Sequence, residues 1–171
     1  IIGGETDFFS AYLQISNDFG NTWAMPAMNS FFSGDNAIHD LAIDDSIWFA
    51  AGEGVIAQSL DGGENWLQLL NLWDDYSPFS LYYTNIEFSP VNKNIIYVTG
   101  YKSTSTDKVP LLYSENRGAS WDTISHSGVI SNQRIKCLTI RNIDNTDNLF
   151  VGGKGVYQYM KMVTQVPDTN L

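Results

Sequence analysis

The chain has 171 residues, 43% of them apolar, which suffices for one domain with a real core. Fourteen glycines and 13% aromatics, with short runs rich in Val, Ile, Tyr, Phe and Trp, favour an all-β fold, and no run of about 18 apolar residues exists to cross a membrane. Nineteen acidic against nine basic residues give a net charge of −10, which excludes the basic footprint that nucleic acid or an anionic membrane surface needs.

The chain opens on Ile1-Ile2-Gly3-Gly4, with no initiator methionine and no signal-peptide pattern, and reads as a piece of a longer protein that starts at the end of a strand. A loop, Glu5–Ser10, leads to an apolar run, Ala11–Ile15, and then to Ser16-Asn17-Asp18-Phe19-Gly20-Asn21-Thr22-Trp23. Next come an alternating run at Ile38–Ile43, a run closing on glycine at Ile47–Gly52, and a third run at Val55–Gln58. Alternation and glycine punctuation mark these as strands and tight turns. The eight-residue pattern then returns as Ser59-Leu60-Asp61-Gly62-Gly63-Glu64-Asn65-Trp66. The same order follows at Asn85–Phe88, Ile95–Gly100 and Leu111–Tyr113, and leads to Ser114-Glu115-Asn116-Arg117-Gly118-Ala119-Ser120-Trp121. A last round, Ile135–Ile140, Leu149–Gly152 and Gly155–Tyr159, ends without the pattern: Tyr159, Lys161, Val163 and Val166 stand in its Ser, Asp, Gly and Trp places.

The repeat is S-x-D/N-x-G-x-x-W, and each position has a local task. The Asp or Asn accepts hydrogen bonds from backbone N–H groups ahead of it, and the Ser hydroxyl joins that network. The Gly supplies a positive φ, and the Trp opens the returning strand and buries a large ring. Trp23, Trp66 and Trp121 are therefore expected to be largely buried. The unit is four strands with the turn motif after the third. It divides the chain into a partial unit at 1–27, full units at 38–70 and 83–125, and a last one at 135–166. A terminal repeat is often atypical.

The motif resembles the Asp-box of sialidase-type, xyloglucanase-type and sortilin-type β-propellers. The resemblance implies four-stranded antiparallel blades, with the box at the turn between the third and fourth strands, on the rim away from the ligand-binding face. The twelve box residues are then structural: Ser16, Asp18, Gly20, Trp23, Ser59, Asp61, Gly63, Trp66, Ser114, Asn116, Gly118 and Trp121. These blades make a poor closed ring, so the remaining blades of a parent chain or a companion chain are expected beside them. The resemblance also implies an exported protein, extracellular or periplasmic.

Box spacing locates the variable loops. Forty-three residues separate Asp18 from Asp61, about one blade, but 55 separate Asp61 from Asn116. From the second-strand glycine to the box Ser there are seven residues at Gly52–Ser59, against 14 at Gly100–Ser114 and 12 at Gly4–Ser16. Two blades thus carry long loops, Glu5–Ser10 and Tyr101–Val109. Alternate turns of a meander fall on opposite ends, so these loops share an end with the inter-blade segment Trp73–Tyr83. Long loops on one face are where repeat proteins bind. Trp73, Asp74, Asp75 and Tyr76, with Tyr101, combine aromatic faces with acceptors and are the candidate ligand-binding residues.

Placement along the blades separates several chemistries. A glycosidase needs two facing carboxylates, and Glu5, Asp7, Asp74, Asp75 and Asp107 are the acids at the proposed ligand end. No catalytic residue is assigned; the expected function is a non-catalytic binding or scaffold module for a glycan or a protein, the alternative a fragment of a glycoside hydrolase. A sialidase-type arginine clamp fails, because Arg117 lies in a box turn and Arg134 and Arg141 flank one strand. His39 and His126 lack partners at ligand spacing, and Asn142–Asn148 lacks the Gly and distal Glu of a calcium loop, so neither a metal nor a cofactor is expected. Gly152-Gly153-Lys154-Gly155 lies between strands and not before a helix, so it is no phosphate loop. Cys137, the single cysteine, falls in an apolar run and is expected to be buried and inert.

Overall fold

The computed structural model describes residues 2–5, 11–25, 37–71, 81–102, 111–124 and 135–163. They form thirteen strands in four antiparallel meanders, each strand bonded to the next in sequence. The first blade has β1 (Ile2–Glu5) and β2 (Ala11–Gln14). The second has β3 (Ile38–Asp44), β4 (Ile47–Gly52), β5 (Val55–Ser59) and β6 (Leu67–Asn71). The third has β7 (Leu81–Phe88), β8 (Ile96–Lys102), β9 (Leu111–Ser114) and β10 (Asp122–Thr123). The fourth has β11 (Cys137–Ile143), β12 (Thr146–Gly152) and β13 (Val156–Met162).

The returning fourth strand weakens away from the second blade. It is a five-residue β6 there, a two-residue β10 in the third blade, and in the first blade a single bridge between Ile15 and Ala24. Among the described residues the fourth blade has none.

The core lies between blades, face against face. Leu13 of the first blade packs on Ile38, Trp48, Ala50 and Ala57 of the second. Phe49 and Ile56 of the second pack on Ile86, Ile96 and Val98 of the third. Tyr97 and Leu111 of the third pack on Ile140 and Leu149 of the fourth. Both faces of an interior strand are thus covered, which is why β4 and β5 read as near-continuous apolar runs.

One backbone device recurs at the end of second strands. A Cβ at Gly52 would run into the Ala37 carbonyl, and one at Gly100 into the Tyr82 carbonyl. Both glycines face a register shift in the first strand, at Ile38/Asp40 and at Tyr83/Asn85. The bulged strand presses its backbone onto a position that only glycine leaves open.

Two expectations are corrected, and the first turn of the last blade is tighter than its polar run. The polar run Asn142–Asn148 holds the turn between the first and second strands, and strand pairing takes most of it: Asn142 pairs with Asp147 and Ile143 with Thr146, and only Asp144 and Asn145 turn, at φ 51° and 58°. Asp and Asn tolerate that left-handed region, so a two-residue hairpin closes and both strands run longer than their apolar residues indicate. Cys137 is exposed, because β11 turns Leu138 and Ile140 towards the rest of the core and Cys137, on the alternate side, away from it. Finally, of the three box tryptophans only Trp66 is fully buried, at 4% exposure; Trp121 is half-buried and Trp23 is 41% exposed. Burial of the ring follows the length of the returning strand beside it, and that strand shrinks in the same order.

Candidate functional site

The two ends of the blades are built differently. At one end the three boxes are almost superposable in their bonding. Ser16, Ser59 and Ser114 each donate from Oγ to Oδ1 of Asp18, Asp61 and Asn116, at 2.8, 2.8 and 2.9 Å. The same hydroxyls accept the N–H of Gly20, Gly63 and Gly118 at 2.7, 2.8 and 2.8 Å. Oδ1 also accepts the N–H of Thr22, Asn65 and Ser120, at 2.8 Å in all three. The second side-chain atom of the Asp or Asn bonds Thr22 Oγ1, Asn65 Nδ2 and Ser120 Oγ. Two successive residues hold positive φ: Phe19 and Gly20, Gly62 and Gly63, Arg117 and Gly118. The sequence pattern fixes only the second of these as glycine.

The electrostatics follow from this bonding. The Asn65 N–H, joined by the Asn65 amide and the Ser59 hydroxyl, holds the Asp61 carboxyl down at about 2. Thr22, through hydroxyl and N–H, lowers Asp18 in the same way. The indoles of Trp23 and Trp66 donate to the carbonyls of Gly20 and Gly63, at 3.1 and 2.9 Å. Where the fourth blade has lost its box, Lys161 reaches back to Glu115 of the preceding box at 2.9 Å and lies 4.0 Å over the Tyr113 ring.

The opposite end carries a constellation drawn from three strands. Glu5, Glu53, Tyr101, Ala11 and Leu111 all lie at this end, because the second strands finish and the third strands begin there. Tyr82 and Tyr101 are stacked with centroids 4.7 Å apart and planes 10° off parallel. His39 continues the stack on Tyr82 at 6.0 Å and 6°. Its Nδ1–H donates to the Tyr83 carbonyl at 3.1 Å, which fixes the ring, and its Nε2 lies 4.0 Å from Glu53 Oε1. Glu53 in turn bridges Tyr82 through the backbone, tying the second blade to the third. The result is a ladder of three parallel rings, partly open to solvent, with a carboxylate at one end.

Tyr101 is the one sequence-proposed binding residue that falls within the described structure. Trp73, Asp74, Asp75 and Tyr76 lie outside the described residues, as do Asp7, Asp107, His126 and Arg134. Both flanks of the segment carrying Trp73–Tyr76, Asn71 and Leu81, sit at the ladder end. His39, Glu53 and Tyr82 were missed as site residues. The signal was available in the repeat: Glu53 and Tyr101 each follow the second-strand glycine, so aligning the blades puts them side by side.

Between the ends, first-strand acids stitch neighbouring blades. Asp40 accepts the Ile86 N–H at 2.9 Å, and Glu87 accepts the Ile140 N–H. Burial raises the pKa of both, with the Asp40 charge adding to Glu87. Each carboxylate satisfies a backbone donor of the next blade that no strand ladder reaches. Asp147, fully buried, is held by the Tyr97 hydroxyl at 3.0 Å and the Asn142 amide at 2.7 Å. Among the described residues no group of three or more His, Cys, Asp or Glu is placed to hold a metal. Arg117 lies in its box turn, bonded to Asn94, and Arg141 is exposed on β11.

No family model matches the sequence, and no curated protein does. By fold the chain is similar to the GH74 xyloglucanase from Xanthomonas campestris, at 18% identity and a TM-score of 0.58 over 88% of this chain and 24% of that one. It is similar to an ancestral GH74 enzyme at 18% identity and a TM-score of 0.65, over 90% of this chain and 20% of that one. It also resembles YCF48 bound to a D1 peptide, at 12% identity and a TM-score of 0.55, over 87% of this chain and 48% of that one. Identities this low show the fold alone: all-β, antiparallel sheets forming blades of an Asp-box-like β-propeller. The chain spans about a quarter or less of the xyloglucanase chains and about half of the YCF48 chain.

Proposed function

We propose that the protein is a non-catalytic binding module of an exported Asp-box propeller, and that it takes its ligand at the end opposite the boxes. The observation that carries the reading is the stacked ladder Tyr101–Tyr82–His39 ending on Glu53. Tyr82 has a ring stacked on either side, so the end rings, Tyr101 and His39, are the ones that suit the apolar face of a sugar, and the carboxylate beside them accepts hydroxyl hydrogens. Trp73, Asp74, Asp75 and Tyr76, outside the described residues, offer the same aromatic and carboxylate chemistry in sequence. At the box end the side chains of the Ser and Asp or Asn positions are committed to the turn. A protein ligand is the second reading; a YCF48 chain of similar fold is bound to a peptide. The xyloglucanase likeness keeps a hydrolase fragment as the enzyme alternative, and that would require a second carboxylate facing Glu53 across a scissile bond.

The test is a calorimetric titration with soluble β-glucan and xyloglucan oligosaccharides, then with peptides, comparing parent, Tyr101→Ala and Trp73→Ala. Loss of one stacking ring weakens binding by about tenfold, on the scale of one aromatic contact. Binding unchanged in both variants, or mapping to the box end, refutes the assignment. Release of reducing sugar by the parent would favour the hydrolase reading.

A further inference from the structure

A seam runs between neighbouring blades at the box end, and the chain closes two of its three seams itself. Each seam starts from the residue before the box serine or its neighbour: Ile15, Gln58 and Tyr113 hold that place in the first three blades. Between the second and third boxes the Gln58 amide donates to the Arg117 carbonyl at 3.3 Å and spans the seam. Between the third box and the fourth blade Lys161 fills it. Its ammonium lies 4.0 Å over the Tyr113 ring and 2.9 Å from Glu115, and its side chain is 17% exposed. Between the first and second boxes neither closure is made among the described residues. Ile15 has no donor to offer, and Gly62 stands where Arg117 stands in the next box. What remains is a cleft of about 440 Å³. Buried Trp48 and half-buried Ile15 give it an apolar base, Ala24 and Met25 flank it, and Asn17 and Glu64 line it as exposed polar side chains. The cleft lies between two blades that the chain itself supplies, so it owes nothing to where the sequence ends.

Charge says what the cleft can hold. Residues 16–25 and 40–66 contain no lysine or arginine, while Asp18, Asp61 and Glu64 are carboxylates on the two boxes that border it. The turn bonding keeps Asp18 and Asp61 ionised. An acidic cleft with an apolar base suits a cation that carries its own apolar stem. The seam between the third and fourth blades holds such a group: a lysine whose ammonium rests on the acid that follows the box serine and on the ring that precedes it. Asn17 and Ile15 occupy those two places in the open seam. Trp23 at 41% exposure and Met25 at 69% add apolar surface for residues on either side of a lysine, surface that a free amine would leave unused. We propose that the cleft between the first and second boxes is a docking site for a partner protein, and that it takes a lysine flanked by apolar residues in an extended segment of that partner. The stem lies on Trp48 and Ile15, and the ammonium meets Glu64 and the Asn17 carbonyl. The cleft and the ring ladder are separate sites with separate ligands.

Fluorescence anisotropy with a labelled peptide tests this, the probe being Ser-Gly-Leu-Lys-Leu-Gly-Ser and its control the same peptide with the lysine acetylated. The expected result is saturable binding of the lysine peptide, weakened about tenfold by acetylation, which removes the charge and keeps the stem. Glu64→Gln weakens it about fivefold, the scale of one solvent-exposed ion pair. Asn17→Lys supplies the cleft with an ammonium of the chain's own and abolishes binding. Asn17 and Glu64 are exposed, so far-UV circular dichroism of both variants should match the parent. Glu115→Gln, at the seam that Lys161 already fills, and Tyr101→Ala, in the ladder, leave binding unchanged. Equal affinity for the acetylated peptide, indifference to both Glu64→Gln and Asn17→Lys, or no saturable binding at about millimolar peptide overturns the proposal. Butylamine that competes as well as the peptide, mole for mole, overturns the partner and leaves a site for small amines.

Discussion

The box tryptophans form a built-in dose series, and truncating them one at a time separates core packing from the turn itself. Trp66 is almost wholly buried, with its indole N–H on the Gly63 carbonyl, among Trp48, Ala50, Val55 and Leu13. Trp66→Ala removes a large ring from a site closed by sheet on both sides, and should cost about 3–5 kcal/mol, the range for truncating a core aromatic. Trp23 already lacks a good part of that burial; at 41% exposure, Trp23→Ala should cost about 1–2 kcal/mol by area removed from water. Trp121 falls between them, half-buried against Phe49 and Leu69 in the neighbouring core and with no hydrogen-bond partner for its buried Nε1 among the described residues. Urea unfolding followed by far-UV circular dichroism gives the three differences on one scale. The order Trp66 > Trp121 > Trp23 is the prediction. Equal costs for all three would refute the link between ring burial and the returning strand, and a Trp66→Ala variant as stable as the parent would refute the anchor role altogether.

Two further substitutions test the turn and the bulge. Asp61 has its folded pKa held at about 2, below the ordinary 3.8, so its contribution to stability is fully present above that ordinary value and is lost as pH falls towards 2. Asp61→Asn should remove this acid dependence and leave the box closed, as Asn116 closes its own box, and an unaltered acid-unfolding curve would count against it. Gly52→Ala drives a Cβ into the Ala37 carbonyl of the bulged first strand and should destabilise the second blade by about 1–3 kcal/mol, as overpacking does. A neutral result in thermal unfolding would show that the bulge yields.

The boxes were legible in the sequence because each is a self-contained circuit of eight residues whose donors and acceptors all lie within it. The strands of the second and third blades were legible for the related reason that an interior strand, covered on both faces, is spelled in apolar residues. What escaped was set by neighbours. The burial of Trp23 depends on a returning strand that its own motif does not encode. Cys137 is flanked by Ile135 and Leu138, yet a shift of one position in a strand reverses its side, and the apolar run alone does not fix that phase. Asn142 and Asp147 read as part of a turn by composition, but they pair as strand residues across only two turning positions. His39, Tyr82 and Tyr101 come from three strands of two blades and Glu53 from the turn after β4, so no contiguous motif announces them.

The same circuit that makes the boxes legible also commits their side chains to the turn. Oδ1 of Asp61 accepts from the Ser59 hydroxyl and the Asn65 N–H, and Oδ2 accepts from the Asn65 amide. A carboxylate engaged in this way is held ionised far below neutral pH, so it has no proton to give, and withdrawing it to bind a substrate would open the turn. Fixed boxes do, however, hold one end of each of the first three blades in place. The other end can then change loop length, seven residues in the second blade and 14 in the third between second-strand glycine and box serine, without disturbing the stack. Variation in loop length is therefore expected beyond the Gly52 and Gly100 ends of the second strands. The division of labour between the two ends follows from where the hydrogen bonds are already spent.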